Sequence, residues 1–270
     1  MNGIVTLQGS KPTNLVQAIE RASLILDVLG QSSQGISVKD LSAEVDLPKG
    51  TTHRLLSSLA YFGYVQQDSK TRHYSLGFKL VELGNCLLNQ LDLRTEAKQF
   101  LADLAKRTQE TVHLVILDKN EVLYMDKVES DDNPSGLRMA SRVGSRTLAH
   151  SCAVGKVLLA HLSEEELDEF IKGAGLPKIT ENTISDPIRL KEHLKLVRSQ
   201  GYVVDDEENE KGIRCVAAPI RNEIGRVVAA TSISGPAIRI TRKRIQESLK
   251  RDIIETALKI SRKLGFQEGG

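Results

Sequence analysis

Lys49, Thr51, Thr52, His53, Arg54 and Ser57 lie close together in a stretch, Leu47 to Gln67, that contains no acidic residue. Cationic and hydroxyl side chains gathered this way can donate to base edges and phosphate oxygens, which a carboxylate at the same place would repel. Lys70 and Arg72 follow shortly afterwards in a polar turn and add two more cations. Three later segments have a different chemistry. Arg142-Val143-Gly144-Ser145-Arg146 leads through His150-Ser151-Cys152 to Ala153 and Val154, where the N–H groups of a helix start can hold an anion. Asp205-Asp206-Glu207-Glu208-Asn209-Glu210 is a charge run closed by Gly212, with Ile213 and Cys215 just beyond. Ser232-Ile233-Ser234 puts two hydroxyls on one face of an otherwise apolar strand, and buried hydroxyls need partners. Cys215 with His113 or His150 as base could support acyl transfer. No nucleophile-elbow motif accompanies it, so the run IRCVAAPI is read as a packed strand.

The elements that carry the first cluster are short helices. Val16, Ile19, Ala22, Leu26 and Leu29 recur at helical spacing from Leu15 to Gly30 and predict a first amphipathic helix. Ser37, with Asp40 three residues on, caps a second helix carrying Val38, Leu41 and Val45. After Asp46-Leu47, Pro48 takes the first position of a third helix whose Leu55, Leu56 and Leu59 face inward. YVQQ and RHYSL around Asp68-Ser69-Lys70-Thr71 predict a hairpin wing. Two helices across a tight turn, followed by a wing, describe a winged helix-turn-helix. Some winged helices bind only protein, and these would show no salt-dependent affinity for duplex DNA.

The chain of 270 residues, 40% hydrophobic and 27% charged, is long enough for two domains with separate cores. Its net charge of +2 excludes no class, because a DNA footprint is a local basic face. Cys86, Cys152 and Cys215 have neither disulfide-framework nor zinc spacing. The absence of a secretory signal or a long apolar run predicts a cytoplasmic protein without a membrane span. Leucines from Leu80 to Leu91 predict a linker helix, with another helix following Thr95. Beyond these, strands are expected at Thr111–Asp118, Glu121–Val128, 135–143, 202–205, 213–220 and 226–234. Helices are expected from Ala153, after the Ser163/Glu166 capping box, from Pro187 to Gly201, and from Thr241 to about Leu264. The class is α+β, with helices around an antiparallel sheet.

The segments DLPKGTTHRLLSSLAYFGYV, YSLGFKLVELG, RTQETVHLVIL, SRVGSRTLAHSCAVGKVLLA, GYVVDDEENEKGIRCVAAPI and VVAATSISGPAIRIT occur in one order along the chain. In that order they resemble, almost end to end, the IclR family of bacterial transcriptional regulators. The resemblance implies a winged helix over 13–76, a linker helix over 77–94 and a GAF-like effector domain over 95–266. It also implies a homodimer pairing into tetramers, a palindromic double-stranded DNA operator, repression more than activation, no cofactor and no catalysis. The implied effector is a small organic acid held by Ala153, Val154, Asp205, Ile213, Cys215, Ser232 and Ser234. Gly50 and Thr52 depart from the family's usual serine and small apolar residue at the recognition helix. Ala153 and Val154 replace the glycine and alanine of glyoxylate-responsive members, which implies a different ligand. VRSQGYVVDDEENEKGIRC and ETVHL resemble regulators of 2-keto-3-deoxygluconate and related sugar-acid catabolism.

Overall fold

The computed structural model describes residues 14–89, 92–129 and 141–267. The chain divides into two compact units, Met1–Gln90 and Leu91–Gly270.

In the first unit, α1 (Gln17–Gln31) buries Ile25 and Leu29 and half-buries Ala22 and Leu26. The inward stripe is thus rotated from the one expected: Val16 and Ile19 are 61% and 64% exposed. Ile25 takes their place because it shares a face with Ala22 and Leu29 at helical spacing. Ser37 caps α2 (Val38–Glu44), its Oγ accepting from Asp40 N at 3.2 Å. Asp46 turns the chain with φ of 49°. Pro48 lies one position before α3 (Lys49–Tyr61), not inside it, and its carbonyl accepts from Thr51 and Thr52. The wing is β1 (Val65–Gln67) antiparallel to β2 (Tyr74–Leu76), with Ile36 bridging Tyr74 from the far side. Asp68 Oδ1 ties the wing turn by accepting from Lys70 N, Thr71 N and Thr71 Oγ1. A Cβ at Gly77 would lie 2.1 Å from Gly63 O, so only glycine lets the chain leave the wing here. The core is Ile25, Leu29, Leu41, Val45, Leu56, Val65 and Tyr74. Helix α4 (Lys79–Asn89) closes this unit.

The second unit begins with α5 (Asp92–Thr108). Its antiparallel sheet has the order β5-β4-β3-β8-β7-β6. The strands are β3 (Thr111–Asp118), β4 (Glu121–Val128), β5 (Arg146–Leu148), β6 (Val203–Asp206), β7 (Ile213–Arg221) and β8 (Val227–Pro236). A two-residue turn with Lys119 at φ of 59° joins β3 to β4. The strand expected at 135–143 lies mostly outside the described residues, and 141–143 are not extended pairs. Arg146–Leu148, expected as loop, is the edge strand β5.

Helices α6 (Ala153–Leu159), α7 (Glu164–Ala174) and α8 (Pro187–Gln200) cover one face of the sheet, packing with Ala217 and Ala230. Alternation sends Val216, Ala218 and Ile220 to the opposite face. Ser163 and Glu166 form the complete capping box of α7, Asp186 caps α8, and Gly201 ends α8 in the left-handed region at φ of 70°. Thr241 caps α9 (Arg242–Arg244), which passes through one π-helical turn, Ile245–Leu249, into α10 (Lys250–Lys263). That turn interrupts the single helix expected there. Among the described residues no helix is long and apolar enough to cross a membrane.

Candidate functional site

Two sites emerge, one in each unit. In the first, α3 exposes Lys49, His53, Arg54 and Ser57 and half-buries Thr51, while the wing exposes Lys70 and Arg72. Thr52 is a correction to the expected set. It is fully buried and its hydroxyl donates back to Pro48 O at 3.3 Å, so its side chain cannot meet a base. The cause is spacing: Thr52 is one helical turn before Leu56, on the stripe that packs against α1 and α2. Ser57 Oγ donates to His53 O at 2.9 Å, which leaves its lone pairs facing outward. Asp68, the acid nearest the wing cations, is consumed by the Thr71 and Lys70 hydrogen bonds, which hold its carboxyl below the usual range.

In the second unit, all seven residues expected to hold an effector line one cavity: Ala153, Val154, Asp205, Ile213, Cys215, Ser232 and Ser234. Strand register explains the convergence. Asp205 pairs with Cys215, and Cys215 with Ser234, in one row across β6, β7 and β8. Ser232 pairs with His113 on β3 two residues along, on the same face. The start of α6 lies over this row and supplies Ala153 and Val154.

The cavity wall also includes Cys152, Asn209 and Glu210, which lie in the segments singled out in the sequence but outside the expected effector set, and His113 and Tyr124, which those segments do not contain. His113 Nδ1 lies 3.3 Å from Ser232 Oγ and 3.4 Å from Ser234 Oγ, and its Nε2 is 2.8 Å from Ser141 Oγ. Burial, then Lys127, drives its pKa down to about 3, so the ring is neutral. Asn209 Oδ1 accepts from Ser151 at 3.0 Å and Thr147 at 3.2 Å, pinning the charged loop to β5 and the turn after it. A polar residue inside a buried apolar run was the available signal for His113.

The electrostatics of the cavity are those of an acid held without cations in contact. Burial pushes Asp205 up to about 7, against the opposing pull of Lys156 and the backbone N–H of Glu208, which donates to Oδ1 at 2.7 Å. Burial also pushes the Cys152 thiol up to about 12 and the Cys215 thiol well above its ordinary value. Among the described residues no lysine or arginine lines the cavity. Its free volume is about 30 Å³, room for one or two waters. Behind it, Lys156 is fully buried on α6, donates to Val204 O at 3.3 Å and ion-pairs with Glu208.

This architecture has close relatives. Residues 18–69 match the model of the IclR helix-turn-helix domain, and residues 86–262 match that of the bacterial transcriptional regulator IclR C-terminal domain. The chain is 37% identical to the HTH-type transcriptional regulator KdgR of Escherichia coli, covering 96% of each protein. It is 38% identical to the HTH-type transcriptional repressor AllR of that organism, covering 93% of this chain and 91% of AllR. The Thermotoga maritima IclR structure superposes with a TM-score of 0.77 at 38% identity, over 92% of this chain and 98% of that one. An IclR homolog from Microbacterium hydrocarbonoxydans, complexed with 4-hydroxybenzoate, gives 0.78 at 25% identity over 92% and 98%. The two domain models and the near full-length likeness establish the identity: the chain belongs to the IclR family of bacterial transcriptional regulators.

Proposed function

We propose that this regulator represses transcription by binding a palindromic operator as a dimer, and that a hydroxylated carboxylic acid in the C-terminal cavity controls its grip. The convergence of seven residues from three distant segments on one buried cavity carries the reading. The acid's carboxylate takes the N–H groups at the start of α6 and the hydroxyls of Ser232 and Ser234. Its hydroxyl groups donate to Asp205 and Glu210, acceptors that a plain hydrocarbon acid would leave without a ligand donor. This composition favours sugar-derived acids of the 2-keto-3-deoxygluconate kind over glyoxylate. A cavity of about 30 Å³ must widen to admit such a molecule. Binding therefore selects an opened state, and a ligand shifts the balance only by its differential affinity for the two states.

On DNA, Thr51, His53, Arg54 and Ser57 take base edges while Lys49, Lys70 and Arg72 take phosphates. Tetramers of two dimers would bring two operator half-site pairs together. Such a protein works where the DNA is, in the cytoplasm.

An enzymatic role for Cys215 is disfavoured by its surroundings. Ser234 lies within hydrogen-bonding reach of its sulfur, and burial, the larger effect, keeps the thiol protonated. His113 is engaged by three serines, and His150 Nε2 donates to Pro177 O at 2.9 Å. No imidazole is placed to take a proton from the sulfur.

Thermal shift against a panel of hydroxylated and plain acids, with each ligand assayed afterwards for turnover, tests the reading. A true effector raises stability by about 2.7 kcal/mol at one hundred times its dissociation constant. A saturable shift that disappears in Ser232→Ala supports the site. A panel with no shift, or an acid that is consumed, overturns it.

A further inference from the structure

We propose that the cleft between α7 and α8 is a second ligand site, built for a monocarboxylate with an apolar tail. The cleft encloses about 280 Å³, far more than the inner cavity and close to the lower end of drug-sized sites, roughly 300 Å³. Leu159 and Ala160 from the end of α6, Leu167 of α7 and Leu194 of α8 form an apolar floor. Lys191, Lys195 and Arg198 stand along the α8 side of the rim, and Glu164 faces them from α7. Lys191 is committed to an ion pair with Asp168. Among the described residues Lys195 and Arg198 have no carboxylate partner, and both are exposed.

The surroundings of Arg198 are positive as well. Arg221, at the end of β7, donates to His161 Nε2 at 3.1 Å, while His161 Nδ1 donates to Val157 O at 2.8 Å. The imidazole is therefore neutral and acts as acceptor. Arg198 lies near enough to both groups to depress their pKa values, after burial has done so first. Lys195 and Arg198, exposed and without a carboxylate partner among the described residues on one rim of the apolar trough, leave positive charge uncompensated, and a carboxylate placed there relieves it. The tail then lies along Leu159, Leu167 and Leu194, where removing apolar surface from water adds about 25 cal/mol per Å². Glu164 at the opposite rim repels a second carboxylate, which selects monoacids over diacids.

The test is isothermal titration of the full chain with sodium octanoate, octanol and suberate. The proposal expects saturable octanoate binding at one site per chain, and at least about tenfold weaker binding of the alcohol and the diacid. Lys195→Glu/Arg198→Glu reverses two exposed charges and is expected to cost octanoate at least about tenfold while the melting temperature holds. Leu167→Trp fills the floor and gives the same loss by an independent route. Asp205→Asn, in the inner cavity, leaves octanoate binding unchanged, which separates this site from the effector site. Absence of saturable binding, indifference to both cleft variants, or loss in Asp205→Asn overturns the proposal.

Discussion

The ammonium of Lys156, with none of its side chain exposed, pairs with the carboxylate of Glu208 beneath the loop that closes the C-terminal cavity. Glu208 Oε2 has no hydrogen-bond partner, so the pair depends on one contact and on the carbonyl of Val204. Lys156→Met strands a buried carboxylate and is expected to destabilise the C-terminal domain by about 3–5 kcal/mol. Lys156→Met/Glu208→Leu should recover most of that loss, because a pair of apolar residues leaves no charge to desolvate. Urea unfolding of the three proteins measures it, and a single variant as stable as wild type contradicts the assignment.

Gly155 gives a sharper packing test. A Cβ there would sit 2.1 Å from Ala149 O, a backbone atom that cannot step aside, so Gly155→Ala must push α6 away from the turn that leads into it. The expected cost is about 1–3 kcal/mol or more, with loss of acid binding. At Gly50 on α3 a Cβ meets nothing within 4 Å, and Gly50→Ala should stabilise the first unit by about 0.4–1 kcal/mol. Thermal melts of both variants check the contrast.

On the DNA side, Arg54→Ala is expected to weaken operator binding by about 1–3 kcal/mol with unchanged thermal stability. Lys70→Ala should weaken all duplexes alike and lower the salt slope by about one. Thr52→Val replaces a buried hydroxyl that bonds only to Pro48 O, and should leave base preference untouched. Anisotropy titrations at several salt concentrations read all three, and a changed base preference in Thr52→Val would contradict the burial argument.

The cavity carboxyl makes a pH prediction. Asp205 is raised from 3.8 to about 7 in the fold, so the folded state binds more protons there, and stability from this group falls as pH rises between those values. His113 and His193, lowered from 6.5 to about 3 and about 4, act oppositely and cost stability as pH falls below 6.5. Asp205→Asn should therefore gain on wild type from pH 4 to pH 8, with the two converging at the acid end. Denaturant midpoints across that range test it, and parallel curves would show that Asp205 is not desolvated.

Much of this was legible in the sequence because local signals agreed. Ser163 with Glu166, and Pro187 before Gly201, marked α7 and α8 by capping chemistry that acts within a few residues. The Ser232/Ser234 alternation placed two hydroxyls on the cavity face. What failed needed tertiary information. Val16 and Ile19 fit a helical stripe as well as Ile25 does, and only the position of α2 and α3 decides between them. Thr52 sits among DNA-facing residues, yet the turn of the helix buries it. Lys156 lies in the run AVGKVLL, every residue of which is buried, and nothing local reveals Glu208 as its partner. β5 is three residues long and opens with arginine, too short for alternation to register.

The most direct test of the account is operator release. A duplex selected by the protein from a random pool would be titrated by anisotropy with and without saturating 2-keto-3-deoxygluconate, in wild type and in Ser232→Ala. The account predicts at least about a fivefold shift in the apparent Kd for wild type, the usual scale of allosteric coupling, and none for the variant. Equal affinity with the acid present and absent, when calorimetry shows that the acid is bound, would contradict it.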